Sequence, residues 1–545
     1  MDRPGFVFAL CISVVLVFFL GKTVEAFSGR RVETNDDSKD QKSSSDILNL
    51  TAACVVVNAG GRAPLFAEIL VTQVSERIHY NWTSSSFCQS QSDENGQGVT
   101  SIQLSIDPTV AKKEGYQLSV KTSNNAESTA LHIVGADERG LLFGVGRLLR
   151  LVDTEYYQGY KTPAWSYVGL NISSLPLVSA PSVSMRGHQL GYRPKTNSYD
   201  GWTASQFEQY ITELALFGTN LIEVMPWHTD DVKYSPMFTL NPRDMLRAVA
   251  DSTHKLGLDV GLWWPLMEKN YSDPGTLARA REEWTEVLSL LPSLEKVQVP
   301  AGDPGKASPQ DLLAAAGLLA ETVHSVFPDA EMWVGPQEWT PTEMVDWRQR
   351  ILKLSTSRGD HQAPDWLHGV VYGPHTCLSL TEFVRGNYHG GLPLRLYPDL
   401  THSLTTQFPV PLWDRAFQIT ESREVINPRP LSFSRIAANH LLATNGTGFS
   451  SYSEGCHDDV NKIVWSVTAW GLDQQGGNSH SHTHSHGHNH SRGSVTTNQS
   501  HPSIGESEET LLLATTAVED WVRTFAPVAN QADRLAWQQV VLNLE

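Results

Sequence analysis

The sequence has little cysteine, fewer basic than acidic residues, and no long apolar run after its first twenty positions. Its 545 residues include 5 cysteines, 41 Lys or Arg and 59 Asp or Glu, for a net charge of −18. This excess of negative charge argues against nucleic acid and anionic membranes as partners. No later stretch is long and apolar enough to cross a bilayer. No glycine-rich dinucleotide fingerprint follows a predicted strand, which disfavours a doubly wound open sheet.

The N-terminal apolar run is typical of a secretory signal peptide. Arg3 precedes apolar residues 6–20, and small residues follow at 24–26, so we predict a signal at 1–26. A retained signal anchor is the alternative. We predict that the mature chain is extracellular, vacuolar or lysosomal, without a membrane contact. Seven glycosylation sequons agree with this route, at Asn49, Asn81, Asn171, Asn270, Asn445, Asn489 and Asn498.

The cysteines also fit an oxidising compartment. Cys11 leaves with the signal, so four remain and three pairings are possible. We predict a Cys54–Cys88 bridge in the N-terminal domain. Cys377 and Cys456 follow the sixth and eighth strands below, so a second bridge between them is possible.

Residues 182–455 alternate short apolar strands with amphipathic helices. This alternation predicts the fold class α/β, a (β/α)8 barrel. The strands are predicted at 183–190, 219–226, 259–265, 296–302, 330–336, 367–374, 392–400 and 446–454. The helices are predicted at 203–217, 242–256, 275–291, 308–327, 341–354 and 433–443.

Composition divides the rest of the chain around the barrel. We predict a disordered leader at 27–51, a small α/β domain at 52–155, and the barrel domain at 156–470, with residues 154–181 as connector. The small domain has predicted strands at 100–107, 116–120 and 130–134 and a helix at 135–152. A His-rich low-complexity insertion at 471–507 and a partial helical C-terminal segment at 508–545 complete the chain.

Imidazoles alternate with small residues in the His-rich insertion. The strongest speculative metal ligands are His482, His484, His486 and His488. The competing interpretation is a solvated low-complexity segment, because alternation alone fixes no coordination geometry. We expect no metal or other cofactor for catalysis.

Acidic residues follow several predicted strands, where a barrel of this kind places its chemistry. The candidate catalytic residues are Asp303, Glu338, Asp399, Glu421 and Glu454. Glycosidic bond hydrolysis uses two such carboxylates, one as acid and one as base or nucleophile. Asp303 precedes Pro304 and Gly305, so its alternative role is to form a turn. The alternative role of Asp458 and Asp459 is to cap the helix that follows them.

Aromatic, His and Arg side chains accompany these acids. An aromatic face packs on a sugar ring, and Arg binds a carboxylate in bidentate fashion; core packing is the alternative for the aromatic residues. The candidate substrate-binding residues are Arg186, His188, Trp227, His228, Trp264, Tyr372, His375, Tyr397 and Trp413.

Two segments resemble a known group of enzymes. GADERGLLFGVGRLL and SAPSVSMRGHQLGYR are similar to the domain junction of family 67 α-glucuronidases and family 20 β-N-acetylhexosaminidases. The resemblance covers about 52–470 and implies a small α/β domain before a (β/α)8 barrel. AFQITESRE resembles the family 67 stretch with a catalytic carboxylate, which implies a base at Glu421. VQVPAGDPGK resembles the segment with the general acid, but Ala301 replaces the family Glu and Asp303 is the acid there.

The sequence thus predicts a secreted glycoside hydrolase that removes a terminal sugar from a polysaccharide or glycoconjugate. Its substrate would be acidic or N-acetylated, with Asp303 as acid and Glu421, Asp399 or Glu338 as base. The alternatives are a glycan-binding barrel without activity and a secreted metal-binding protein.

Overall fold

The described residues of the computed structural model start at Ile47 and belong to one compact unit. It describes residues 47–78, 82–85, 88, 99–122, 129–158, 163–193, 199–227, 235–268, 270–302, 305, 307–356, 364–401, 407–408, 428–453, 458–472, 508–525, 535–536, 538–539 and 541–542. The predicted signal peptide, most of the leader and the whole His-rich run lie outside these residues. No helix in the described part is long and apolar enough to cross a membrane.

Two small sheets precede the barrel. Their elements are β1 (Ile47–Asn49), β2 (Ala53–Val57), α1 (Ala63–Ile78), β3 (Thr83–Ser85), β4 (Thr100–Ile106), β5 (Tyr116–Thr122), β6 (Thr129–Gly135), α2 (Glu138–Leu151), β7 (Val152–Gln158), β8 (Pro163–Asn171) and β9 (Leu177–Ser179). The strand order is β3-β2-β4-β6-β5-β9 in one sheet and β1-β8-β7 in the other. The predicted β4, β5, β6 and α2 are confirmed.

Two predictions in this part were wrong. Residues 47–49, assigned to the leader, pair with β8, and the predicted connector contains the β7–β8 hairpin and β9. Both corrections have one physical reason. β1 and β9 take their hydrogen-bond partners from the distant strands β8 and β5, while β7 and β8 pair with each other, and strand formation depends on such neighbours more than on local sequence.

The barrel closes with eight parallel strands in chain order, which confirms the predicted fold. They are β10 (Met185–Gln189), β11 (Leu221–Val224), β12 (Asp259–Trp263), β13 (Lys296–Pro300), β14 (Glu331–Gly335), β15 (Leu367–Tyr372), β16 (Leu394–Leu396) and β17 (Gly448–Ser451). Most of their residues are buried, as expected for strands covered on both faces.

Helices cover the barrel in the predicted positions. They are α3 (Ala204–Leu216), α4 (Pro242–Lys255), α5 (Pro274–Leu288), α6 (Pro309–Val326), α7 (Pro341–Thr356), α8 (Leu380–Arg385), α9 (Pro430–Ala443), α10 (Asp459–Gly471) and α11 (Glu508–Phe525). Thr203 and Gln206 form a capping box at α3, and Asn241, Asp273 and Ser308 cap helices that begin with proline. The six-residue α8 was not predicted.

Helix α2 joins the small domain to the barrel at close range. A Cβ on Gly140 would lie 2.0 Å from the carbonyl oxygen of Gly115, and one on Gly146 would lie 2.1 Å from that of Leu216. The glycines in GADERGLLFGVGRLL therefore allow the backbone of α2 to contact both parts of the molecule.

A buried ion pair closes the same interface. Glu114 accepts hydrogen bonds from Arg186 Nη2 at 2.6 Å and from Arg139 Nη1 at 3.0 Å, and Arg186 is fully buried. Arg186 also donates to the carbonyls of Gly218 and Val183, so its donors are well satisfied. Burial raises the pKa of Glu114, but the two guanidinium groups outweigh burial and hold the pKa below its usual value.

The disulfide Cys54–Cys88 is present, as predicted, and closes a separation of 34 residues. Cys377 is exposed with a free thiol, so the possible pair with Cys456 is not formed. Cys456 itself lies outside the described residues.

Replacing both Cys54 and Cys88 with Ala should lower the free energy of unfolding by about 4 kcal/mol, because the unfolded chain gains the entropy of an open loop. Urea denaturation of the non-reduced protein measures the change. Cys377→Ser is the matched control and should leave the midpoint in place. Equal stability of the double variant and the native protein would contradict this prediction.

Glu114→Gln should lower the free energy of unfolding at pH 7 by about 3–5 kcal/mol, because Arg186 loses its carboxylate in a buried place. The folded pKa of Glu114 lies below its unfolded value, so its stabilisation is present above the unfolded pKa and is lost as the pH falls through the folded pKa. Urea titrations from pH 7 to pH 3 should therefore give a flatter profile for the variant. Glu208→Gln, in an exposed pair with Lys255, should change stability by less than about 1 kcal/mol.

Candidate active site

The inner wall of the barrel has its own apolar cluster, separate from the core between strands and helices. Strand alternation sends every second side chain inward. The buried inner cluster consists of Met185, Leu221, Met225, Trp263, Trp333, Val371, Tyr397 and Tyr452. Tyr397 and Tyr452 lie just after β16 and β17, so the cluster extends to the C-terminal mouth of the barrel.

A buried polar network crosses this wall. Glu223 accepts hydrogen bonds from Gln189 Nε2 at 3.1 Å and from Arg395 Nη2 at 2.8 Å. Arg395 also donates to Gln298 Oε1, and the Tyr397 hydroxyl donates to Gln189 Oε1 at 3.0 Å. Four strands, β10, β11, β13 and β16, are thus tied together in a desolvated space by hydrogen bonds, most of which are charge-assisted.

Tyr397 is held in its protonated form by this environment. Burial and then the Glu223 carboxylate raise the pKa of its hydroxyl well above the usual value. The hydroxyl is therefore a hydrogen-bond donor throughout the physiological pH range. Its ring lies 5.8 Å from that of Tyr452.

Asp399 lies at the mouth directly above Tyr397. It is fully buried, and its segment forms a parallel bridge with Tyr452. Gln407 holds it from one side: the backbone N–H of Gln407 donates to Oδ2 at 3.2 Å, and Asp399 N–H donates to the Gln407 side chain at 3.0 Å. A buried carboxylate at the end of the seventh barrel strand is thus fixed in orientation.

Two neighbouring strand ends carry unusual backbone. Glu338 after β14 and His375 after β15 both have left-handed φ, of 55° and 61°, and Glu338 N–H donates to the His375 carbonyl at 3.0 Å. Non-glycine residues in this region are strained, and such strain concentrates at functional sites. The Glu338 side chain is exposed and the His375 side chain is half-buried.

The end of β13 packs against the same loops. Gly302 N–H donates to the Gln337 carbonyl at 3.1 Å, and a Cβ on Gly302 would lie 2.9 Å from that of Glu338. A side chain at position 302 is therefore excluded. The backbone at Gly302, the residue before Asp303, therefore lies close to Glu338.

Arg193 is a mouth residue that the sequence interpretation missed. It follows β10, is 7% exposed, and its guanidinium lies 5.7 Å from the Trp263 ring centroid. Its Nη1 donates to the sulfur of Met225, a member of the inner cluster, at 3.9 Å. The available signal was its position directly after the first strand, in LGYR.

Several predicted binding residues lie elsewhere. Arg186 occupies the opposite interface with Glu114, and His188 lies between the hydroxyls of Ser451 and Ser466, at 2.7 and 3.0 Å. Burial and then Lys462 lower the pKa of His188 well below its usual value, so its ring is neutral. We therefore remove Arg186 and His188 from the candidate site and give both a structural role.

Three aromatic candidates also point away from the mouth. Trp264 packs in the outer core, whereas its neighbour Trp263 faces inward. Tyr372 packs on Phe383 and donates to the Leu378 carbonyl at 3.1 Å. Trp227 packs against the outer core, with the Arg243 guanidinium 4.3 Å from its centroid.

The remaining candidates lie outside the described residues. They are Asp303, Glu421, Glu454, His228 and Trp413, together with the four speculative metal ligands in the His-rich run. Within the described ranges, no cluster of three or more His, Cys, Asp or Glu side chains has a metal-holding arrangement.

A depression of about 600 Å³ lies at the other end of the barrel, lined by residues that include His324, Asp329, Trp366 and His368. It borders the N-terminal ends of β14 and β15. Barrel enzymes carry their chemistry at the C-terminal ends of the strands, so we place the candidate site at the mouth and not at this depression.

Comparison with known proteins gives structural likeness only. No family model matches the chain, and no curated protein matches it in sequence. Among solved structures it is similar to a family 20 exo-β-N-acetylglucosaminidase from Vibrio harveyi, at 13% identity and a TM-score of 0.42, over 79% of this chain and 75% of that one. It is also similar to a family 89 glycoside hydrolase from Clostridium perfringens, at 10% identity and a TM-score of 0.48, over 87% and 52% of the two chains.

Replacing Arg395 with Met should lower the free energy of unfolding by about 3–5 kcal/mol, because Glu223 then carries an unpaired charge in the barrel. Urea denaturation of the single variants and of the Glu223→Gln/Arg395→Met double variant measures the coupling. The double variant should be more stable than Arg395→Met alone. Additive losses would show that the two side chains do not depend on each other.

Proposed function

We propose that the protein is a glycoside hydrolase that removes a terminal sugar from a polysaccharide or glycoconjugate. The observation that carries this proposal is Asp399, a fully buried carboxylate at the C-terminal end of β16 beside Tyr397 and Tyr452. It combines an acid with aromatic surfaces at the end of the barrel where such folds carry chemistry. The sequence resemblance to family 67 and family 20 enzymes supports the same class.

Asp399 is assigned the role of base or nucleophile. Its orientation is fixed by Gln407, and its place at the mouth suits contact with the anomeric side of a sugar. Glu338 is the alternative partner, because its strained backbone directs an exposed carboxylate from a strand end two strands away. Glu421 and Glu454 remain candidates on sequence grounds.

Asp303 is assigned the role of general acid. Its support is its position after β13, where Gly302 is packed against Glu338 with no room for a side chain. The absence of a side chain at Gly302 lets the backbone just before Asp303 pack against the loop that carries Glu338.

The sugar is proposed to be acidic or N-acetylated. Arg193 replaces Arg186 as the residue that would recognise a carboxylate, because it lies at the mouth with Trp263 beneath its guanidinium. Tyr397 adds a hydroxyl that remains protonated.

Secretion is part of the proposal. The Cys54–Cys88 disulfide supports an oxidising compartment, together with the signal-like N-terminus and the sequons. The partner is a carbohydrate substrate, and neither nucleic acid nor a membrane surface is expected for a chain of net charge −18.

One other function has an observation in its favour. Ala301 stands where the resembled family has its acid, which suits a barrel that binds glycans without hydrolysing them. Binding without turnover distinguishes this function from hydrolysis.

The purified protein should hydrolyse at least one member of an aryl-glycoside panel headed by glucuronides and N-acetylglucosaminides. Asp303→Asn and Asp399→Asn should each lower kcat/KM by about 10²–10⁴-fold, because each removes a proton-transfer or nucleophilic group. Chromogenic assays measure the rates, and NMR of the first product anomer gives the stereochemical course.

Glu282→Gln, on the outer face of α5, is the matched control and should retain full activity. Glycan binding by calorimetry without hydrolysis of any substrate would favour the glycan-binding barrel. Full activity in both Asp303→Asn and Asp399→Asn would overturn the assignment of these two residues.

A further inference from the structure

The first turn of α10 carries a buried polar face. Asp458, Asn461 and Lys462 stand at positions i, i+3 and i+4, so they share one side of the helix, and at most 1% of each is exposed. Asp458 occupies the N-cap position, but its side chain makes no capping hydrogen bond. The capping role considered from the sequence is therefore wrong for Asp458, and its carboxylate has other partners.

The Asp458 carboxylate joins two mouth segments. Its Oδ2 accepts hydrogen bonds from Ser453 Oγ at 3.0 Å and from Thr401 Oγ1 at 3.3 Å, and these two hydroxyls are 2.8 Å apart. Its Oδ1 accepts a bond from Asn461. A single carboxylate thus holds the segment after β16 against the segment after β17.

These two segments carry Asp399 and its bridge partner Tyr452. Thr401 is two residues beyond Asp399, and Ser453 follows Tyr452, the bridge partner of Asp399. Backbone bonds continue the pairing, from Leu400 N–H to the Tyr452 carbonyl at 2.9 Å and from Tyr452 N–H to the Pro398 carbonyl at 2.8 Å. The Asp458 contacts therefore lie two residues from Asp399 along one segment and one residue from Tyr452 along the other.

Asn461 is linked to Asp399 indirectly, through a second chain of hydrogen bonds and adjacent residues. Its Oδ1 accepts from the backbone N–H of Arg429 at 2.7 Å, and the Arg429 guanidinium donates to the Phe408 carbonyl at 2.6 Å. Phe408 follows Gln407, which bonds Asp399 directly.

Lys462 completes the face by donating to the Tyr199 hydroxyl at 3.0 Å, in the connection after β10. Burial raises the pKa of Asp458, while the Lys462 ammonium and the bonds from Asn461 and Ser453 act in the opposite direction. The charges of Asp458 and Lys462 are thus buried, and these polar contacts offset the cost of removing them from water.

We propose that Asp458 is a positioning residue for the candidate active site, which fixes Asp399 and Tyr452 by holding Thr401 and Ser453 together. The proposal rests on the proposed glycosidase function. A displacement of about 1 Å at a reacting group is enough to lower a rate by about 100-fold, so this kind of support matters for turnover.

The test compares Asp458→Asn with Asp459→Asn in the full-length protein. Asp459 is the matched control because it is the adjacent acid on the same helix, but its carboxylate accepts from Trp521 Nε1 at 3.1 Å on α11. Asp458→Asn should lower kcat by about 10–100-fold, with KM changed by less than about threefold. Asp459→Asn should keep both constants within about twofold of the native values.

Hydrogen exchange by mass spectrometry gives a readout independent of activity. Asp458→Asn should speed exchange in peptides covering 394–401 and 448–453, and leave peptides of β12 and β13 unchanged. If the native protein hydrolyses no glycoside, the proposed function fails, while the exchange result still decides whether Asp458 holds these segments. Uniform exchange across the barrel, or equal loss of kcat in both variants, would overturn the positioning role.

Discussion

The Glu223–Arg395 pair is the interaction on which the barrel interior depends. Both side chains are essentially inaccessible to water, and each is bonded further, to Gln189 and to Gln298. Removing two charges from water is costly, and the hydrogen bonds from Gln189 and to Gln298 add to the attraction that offsets this cost. The surrounding apolar wall supplies only weak partners, namely the Met185 sulfur at 3.6 Å from Arg395 Nη1 and the Trp333 ring at 5.8 Å from the Arg395 guanidinium. The positions of Gln189 and Gln298 are therefore constrained, and through Gln189 that of Tyr397 below the mouth.

A second buried ion pair, Glu114–Arg186, lies at the opposite end of the barrel, where it joins the small domain to the barrel. Glu114 comes from the small domain and enters the barrel side of the interface to meet Arg186, while the glycines of α2 bring the two backbones together. The small domain thus occupies the start of β10, leaving the C-terminal strand ends for loops that carry acids and aromatics. This polarity agrees with the usual division of a barrel into a stability face and a chemical face.

The eight strands and their helices could be predicted because buried parallel strands read as short apolar runs and the helices carry clear caps. Which strand residues face the barrel interior was harder to predict. Adjacent strand residues face opposite sides, so an error of one residue reverses the assignment. Arg186 and His188 face outward between the inward Met185 and Gln189, and Trp264 faces outward beside the inward Trp263. β1 and β9 were missed because their partners, β8 and β5, are distant in sequence.

The alternation of side-chain direction along a strand also distinguishes the two described candidate acids, Asp399 and Glu338. Arg395, Tyr397 and Asp399 continue one inward series from β16 into the mouth, so Asp399 is placed by the strand itself. Glu338 stands next to Gln337 and has left-handed φ, which breaks the alternation and redirects its side chain. Placement by a strand is more rigid than placement by a loop, and catalytic geometry requires rigidity. For this reason Asp399 is better supported than Glu338 as a carboxylate of the proposed site.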